Sequence, residues 1–385
     1  MSALVDLACP ECGQVFDADQ IQTICEGCDS PLWARYDLAH LAGELDRERI
    51  SRRPKGIWRW HELLPVRDPI FRITLGEGDT SLTSAPRIAQ ELGLESLFVK
   101  DEGSNPTGTF KARGMAVALS RAAELGLRRF VIPTAGNAGG ALATYASRAG
   151  FEAQVFMPVD APAVNQTEVT MSGADLRLVD GLIDLAGRQA KDQAEANGWF
   201  NMTTFKEPYR VEGKKTMGFE LAEAFGWDLP EVIVYPTGGG TGLVGMWKSF
   251  DELETLGWID GHRPRMVSVQ AKGCAPIVRA LEAEAERVEP WQNPTTIAHG
   301  IRTPGAYADR LILRAVRQSG GVGVTVTDEE IRGAQDDLAK REGILACLEG
   351  AAALAGLRRL VETGGVNRND RVVIFNTGTG LKDLS

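Results

Sequence analysis

Three apolar runs of strand length each end in a glycine-rich turn, and this repetition limits the chain to a narrow set of folds. Phe130-Val131-Ile132 runs into Thr134-Ala135-Gly136-Asn137-Ala138-Gly139-Gly140. Val232-Ile233-Val234-Tyr235 runs into Pro236-Thr237-Gly238-Gly239-Gly240-Thr241-Gly242. Val372-Val373-Ile374-Phe375 runs into Asn376-Thr377-Gly378-Thr379-Gly380. The first two continue into helix-like segments, so they read as strand, tight turn, helix. The same alternation extends through much of the chain. Strands are expected at 97–100, 130–133, 153–157, 176–179, 231–235, 265–270, 323–327 and 371–375. Helices are expected at 111–125, 139–149, 183–197, 213–225, 241–256, 275–286, 328–341 and 349–362. Such alternation predicts α/β layers around mostly parallel sheets, with ligands at the strand ends where the glycine turns lie.

Each turn has its own chemistry. Glycines at 238, 239, 240 and 242, with Thr241, let successive backbone N–H groups converge, and a following helix adds its positive end; this is a phosphate cradle. It fits neither the dinucleotide GxGxxG fingerprint nor the P-loop pattern, and a glycine turn without ligand is the alternative. Asn137 can donate to a phenolic oxygen of a ring cofactor, or simply cap the next helix. Thr377 can contact a ring nitrogen, or serve an ordinary turn. A fourth segment, Asn105-Pro106-Thr107-Gly108-Thr109-Phe110-Lys111-Ala112-Arg113-Gly114, places a lysine at the start of a helix, where it can form a Schiff base with a buried aldehyde.

In this order the four segments, over residues 70–385, resemble the fold-type II pyridoxal-phosphate enzymes. Within them the chain is most similar to the threonine synthase branch, through Gly76-Glu77-Gly78-Asp79-Thr80-Ser81-Leu82, Lys100-Asp101-Glu102 and the ending NTGTGLKD. The resemblance implies two open, twisted α/β domains with pyridoxal 5'-phosphate in the cleft between them. The smaller, mobile one would span 100–205, and the larger would combine 56–99 with 206–385. It makes Lys111 the catalytic, cofactor-bearing lysine. Phe110, Asn137, Gly238, Gly239, Gly240, Thr241, Gly242 and Thr377 would complete the cofactor site. Thr134, Ala135, Gly136 and Asn137 would receive the substrate carboxylate. Arg210, in an R-x-E-G-x-K-T pattern, would hold a substrate phosphate through its planar fork; a surface ion pair with Glu207 or Glu212 is the alternative. Lys214 and Lys215 are expected to be solvated, and Glu349 lies in a segment similar to one near the family's cofactor.

The implied reaction converts O-phospho-L-homoserine and water to L-threonine and phosphate. The alternative is a threonine/serine ammonia-lyase or another β/γ-elimination or replacement on an amino acid. Ala138, Ala112 and Thr241 depart from the branch's usual residues, and these departures bear on substrate more than on cofactor. A non-catalytic scaffold would have no need for the lysine or for the four-segment pattern.

Four of the six cysteines form Cys9-Pro10-Glu11-Cys12 and Cys25-Glu26-Gly27-Cys28, two CxxC pairs 12 residues apart. Two knuckles of this kind make a zinc ribbon, here over residues 1–35 and with a structural Zn2+, since four thiolates leave no open position. A charged connector at 36–55 follows, and Trp58, Trp60, Leu63 and Leu64 are expected to dock the N-terminal segment onto the body. Cys274 and Cys347 read as buried, inert thiols. With 42 basic and 52 acidic residues the net charge is −10, which argues against a nucleic-acid partner. No apolar stretch reaches the about 18 residues of a membrane span. A cytoplasmic enzyme acting on a small amino acid, possibly phosphorylated, is expected, as a homodimer by resemblance.

Overall fold

The structure, a computed structural model, describes residues 1–181 and 183–384. Leu182, within the segment 100–205, and Ser385, at the end of 206–385, lie outside the described residues.

The N-terminal strands are β1 (Leu4–Ala8), β2 (Val15–Phe16), β3 (Ile24–Cys25), β4 (Ser30–Pro31) and β5 (Trp33–Tyr36). Strand β1 pairs antiparallel with β2 and β5, and β3 with β4. Cys9 and Cys12 lie in the turn after β1, closed by Gly13 at φ 77°. Cys25 ends β3 and Cys28 precedes β4. All four sulfurs fall within 4.8 Å of one another, with Cys12 and Cys25 3.8 Å apart. A zinc tetrathiolate requires S···S edges of about 3.8 Å, so the donor set fits structural zinc. None of the six cysteines is disulfide-bonded. Both faces of this unit are anchored: Glu11 pairs with Arg314 at 2.7 Å, Asp19 with Arg121 at 2.7 Å, and the Tyr36 hydroxyl donates to Glu212 at 2.8 Å.

Helices α1 (Leu38–Glu44) and α2 (Arg47–Ser51) fill the charged connector. Trp60 is fully buried against Phe219 and Trp227, and Leu63 and Leu64 are buried as well. Then follow β6 (Leu82–Ser84), α3 (Pro86–Leu92), β7 (Ser96–Asp101) and α4 (Lys111–Glu124). Next come β8 (Arg129–Pro133), α5 (Asn137–Ala149), β9 (Glu152–Pro158), α6 (Ala163–Met171), β10 (Asp175–Val179), α7 (Ile183–Asn197) and β11 (Phe200–Asn201). The chain continues through α8 (Arg210–Ala224), β12 (Val232–Pro236), α9 (Thr241–Thr255), β13 (Arg265–Ala271) and α10 (Pro276–Glu282). It ends with α11 (Asp309–Gln318), β14 (Gly323–Val326), α12 (Asp328–Glu342), α13 (Leu348–Glu362) and β15 (Arg371–Asn376).

These elements build two sheets. One is four-stranded, in the order β10-β9-β8-β11, and all of its pairs are parallel. The other is six-stranded, in the order β14-β13-β12-β15-β7-β6, parallel except for β6. Strands β12, β13 and β15 are buried along nearly their whole length, as expected where helices cover both faces. The expected strands and helices all appear, most within two residues of their bounds. Helix α8 starts three residues early, and α10 ends at Glu282 rather than 286.

Two ion networks lie inside the helical layer. The Arg113 guanidinium joins Glu102 and Glu220, and Glu220 also takes Lys100 at 2.7 Å. Thr80 donates to Glu102 at 2.6 Å and the Lys100 ammonium to the Thr80 carbonyl at 2.6 Å. On the other side of α8, Lys215 and Lys248 share Glu212 and Glu252 at 2.7–3.0 Å. Lys215 is therefore fully buried rather than solvated, because α8 is sandwiched between α4 and α9. Charges this deep are tolerated only when paired. Glu220→Gln leaves Arg113 and Lys100 short of a counter-charge and should cost about 3–5 kcal/mol, read as a lowered urea midpoint at unchanged slope.

Candidate active site

The register of the six-stranded sheet brings three of the four segments together. Ile374 on β15 lies beside Val234 on β12, so the 238–242 turn and Thr377 leave adjacent strands at the same end. Asn376 lies beside Asp101 on β7, which sets the 102–110 segment next to Thr377. The Phe110 N–H donates to the Thr377 carbonyl at 3.1 Å, and Thr109 bridges Gly378. Lys111 follows as the first residue of α4.

Helices α4, α5 and α9 begin at these turns without a side-chain cap, whereas α12 begins with a full capping box from Thr327 and Glu330. Uncapped N-termini leave backbone donors free for a ligand. In the 238–242 turn none of the five backbone N–H groups has a protein acceptor among the described residues. Its glycines are required: Gly240 sits at φ 76°, a Cβ on Gly238 would meet the Gly300 carbonyl at 2.7 Å, and one on Gly242 the Tyr235 hydroxyl at 1.9 Å. This turn fits a phosphate group.

Lys111 Nζ lies 3.8 Å from the centroid of the Phe110 ring. Phe110 is itself buried and packs edge-on against Tyr235 at 6.2 Å. Desolvation, and then the Arg210 charge, lower the Lys111 ammonium to about 8, while Glu349 and Cys347 pull the other way and Lys382 adds to the lowering. An amine of this kind is partly unprotonated near neutrality and able to attack a carbonyl.

Asn137 opens α5, and Thr134 holds the turn by accepting the Gly136 N–H at 3.1 Å. Ala135 and Gly136 lie in the same half-buried turn. Across it stands Lys382, from the short helical turn after Thr377. Its ammonium donates to Asn137 Oδ1 at 3.2 Å and to Glu168 on α6 at 2.7 Å. This pair, with Arg302 and Asp160 3.4 Å apart, joins residues following the six-stranded sheet to residues packed on the four-stranded one.

Arg210 is the first residue of α8 and is 1% exposed. The alternative ion pair is not formed as a direct contact among the described residues: Glu207 accepts the backbone N–H groups of Tyr209 and Arg210 and acts on the guanidinium only through its charge, and Glu212 belongs to the lysine network. The guanidinium donates to the Met202 carbonyl at 2.7 Å and Thr204 at 3.2 Å, with no carboxylate partner among the described residues. A Cβ on Gly239 would stand 3.2 Å from Thr204, which ties this corner to the phosphate-like turn. Lys214, expected to be solvated, is also fully buried. Its one side-chain hydrogen bond among the described residues is to the Lys111 carbonyl at 3.3 Å, and burial followed by the Arg210 and Lys111 charges pushes it well below the usual lysine range.

Glu349 accepts the Gly300 N–H at 2.6 Å and faces the Lys111 side of the cleft. Lys382, Glu168 and Lys214 were not among the expected site residues. For Lys382 the signal was available, since it stands in the same terminal run as Thr377; for Lys214 a pair of lysines on a helix gave none.

Residues 73–378 match the family of pyridoxal-phosphate dependent enzymes. This chain belongs to that family. It is 38% identical to a threonine synthase from Methanocaldococcus jannaschii over 97% of this chain and 92% of the relative. It is 37% identical to one from Methanosarcina acetivorans over 98% and 92%. The fold matches that of maize serine racemase with a TM-score of 0.68, at 22% identity over 78% of this chain and 88% of that one. The cofactor is thus pyridoxal phosphate. If Lys111 is the amine that takes up the cofactor, its attacking form is the neutral amine, and with its ammonium lowered to about 8 the rate at which apo-protein takes up pyridoxal phosphate should rise through pH 8 and level off above it. Stopped-flow absorbance across pH 6.5–9.5, a window of roughly one and a half units either side, reads this directly; a flat profile contradicts it.

Proposed function

We propose that this chain is a threonine synthase, converting O-phospho-L-homoserine and water to L-threonine and phosphate. The observation that carries the phosphorylated substrate is Arg210, a buried guanidinium beside Lys111 with no carboxylate in direct contact among the described residues, the Glu207 charge acting on it only from a distance. A buried cation that lacks a directly bonded carboxylate is only partly compensated, and an anionic substrate group relieves the remaining cost. The threonine synthases that share more than a third of its residues over most of its length support the same reading.

Bound pyridoxal phosphate supplies an electron sink for the substrate's α-carbon. The residues of this chain do the rest. Lys111 is the covalent attachment point and, once released, the base and acid that moves protons at the substrate carbons. Asn137 would contact the cofactor's phenolic oxygen, Thr377 its ring nitrogen, and Gly238, Gly239, Gly240, Thr241 and Gly242 its phosphate, with Phe110 completing the site. The turn from Thr134 through Ala135 and Gly136 to Asn137 receives the substrate carboxylate on backbone N–H groups. Arg210 takes the substrate phosphate. We read residues 100–205 as a smaller mobile unit against 56–99 and 206–385, and closure between them as the step that excludes water until it is needed. The absence, among the described residues, of any helix long and apolar enough to cross a membrane is compatible with a cytoplasmic site. The homodimer rests on family resemblance alone.

Purified, cofactor-loaded protein should release phosphate and form threonine from O-phosphohomoserine in equal amounts, and Lys111→Ala should lose both. Arg210→Met should lower kcat/KM for this substrate on the order of a hundredfold, as for removal of one partner of a buried charge pair. A bound cofactor with no turnover of this substrate, but elimination from threonine or serine, would replace the proposal with an ammonia-lyase.

A further inference from the structure

Cys347 is buried at the start of α13, and its sulfur makes two contacts. It accepts the Gly350 N–H at 3.3 Å, capping the helix, and it lies 3.6 Å from Thr377 Oγ1. Burial, followed by the charge of Glu349, pushes the thiol well above its usual range, so the sulfur carries its proton. With the sulfur already accepting from Gly350, that proton needs an acceptor. A hydroxyl oxygen accepts better than a thiol sulfur. Thr377 is 6% exposed, and its hydroxyl has no other side-chain or backbone partner among the described residues. An S–H···O contact therefore occupies one lone pair of Oγ1 and leaves the Thr377 proton free to point away from the sulfur. The backbone is fixed around this pair. The Cys347 N–H donates to the Gly378 carbonyl at 3.1 Å and to Asn376 Oδ1 at 3.2 Å, and the Thr377 carbonyl accepts from Phe110.

We propose that Cys347 is a positioning residue that sets the Thr377 hydroxyl as a hydrogen-bond donor to the pyridine nitrogen of bound pyridoxal phosphate, holding that nitrogen unprotonated. This rests on the reading of Thr377 given above. A donor at that nitrogen competes with its protonation, so the thiol moderates how strongly the ring withdraws electrons without touching the ring itself. It also gives Cys347 a role beyond that of an inert packed thiol.

The test uses holoenzyme reconstituted with pyridoxal phosphate labelled with 15N in the ring, in wild type, Cys347→Ala, Cys347→Ser, Thr377→Val and the Cys347→Ala/Thr377→Val pair. Wild type should show the 15N shift of an unprotonated, hydrogen-bonded nitrogen. Cys347→Ala should move it toward the Thr377→Val value and weaken cofactor binding about fivefold, the scale of one neutral hydrogen bond. Cys347→Ser, which keeps the cap and the donor, should restore both. In the Thr377→Val background Cys347→Ala should move the 15N shift no further. The proposal is overturned by an unchanged 15N shift in Cys347→Ala, or by an equal displacement with and without Thr377, which would mark a purely structural cap. A Thr377→Val protein with the wild-type shift would overturn the assignment of Thr377 itself, a separate failure from that of Cys347.

Discussion

Arg113 is the fixed point of this molecule. It stands two residues after Lys111, and its guanidinium is held by two buried carboxylates, Glu102 and Glu220, from opposite directions. Glu102 follows β7, Glu220 lies on α8, and Thr80 and Lys100 close the ring from the β6 and β7 side. Desolvation opposes ionisation of Glu220, but the Arg113 and Lys100 charges outweigh it and hold its carboxyl far below the usual range. Glu220 therefore stays ionised at neutral pH. It ties the first turn of α4 to the six-stranded sheet and to α8, so the nucleophile and the neighbouring Arg210 are positioned by the same set of charges. Such a network contributes less to stability than its distances suggest, because each ion was desolvated to form it. Its value is geometric, since each charge has few other partners within reach.

The close approach of α8 to its neighbours depends on glycine. A Cβ on Gly213 would meet the Arg113 carbonyl at 2.0 Å, one on Gly114 the Lys214 ammonium at 1.8 Å, and one on Gly245 the Lys215 backbone N at 3.0 Å. With the backbones this close, charged side chains on all sides of α8 become buried. This explains why sequence reading misplaced Lys214 and Lys215. The run Arg210-Val211-Glu212-Gly213-Lys214-Lys215 resembles the charged start of a surface helix, and local pattern carries no information about a helix enclosed by two others. By contrast, the placement of the glycine turns at strand ends was legible because it is local: a strand, a glycine turn and a helix N-terminus follow one another in the sequence without help from distant residues. The cysteine knuckles were legible for the same reason. Helix α11 was not among the expected helices, although Leu311, Ile312, Ala315 and Val316 follow helical spacing on one buried face. Its arginines mask that face in a composition-based reading, and two of them, Arg310 and Arg314, are directed to Glu11 of the ribbon.

A chain of net charge −10 must bind an anionic cofactor and, on the reading above, a phosphorylated substrate. Over distances beyond the about 8 Å Debye length of physiological salt, its overall field matters little. Near the cleft the balance reverses. Lys111, Lys214 and Arg210 gather there with no carboxylate in direct contact among the described residues, while Lys382 is paired with Glu168, Glu207 accepts two backbone N–H groups and Glu349 accepts that of Gly300. Burial first, and then the neighbouring positive charges, lower Lys111 and Lys214. The positive charges that favour an anion thus add to what burial does to the Lys111 amine. A substrate phosphate at Arg210 would offset one of the charges that add to the lowering of Lys111, so the lysine, once displaced from the cofactor, would hold a proton more readily. That suits a residue that must then move protons on the substrate.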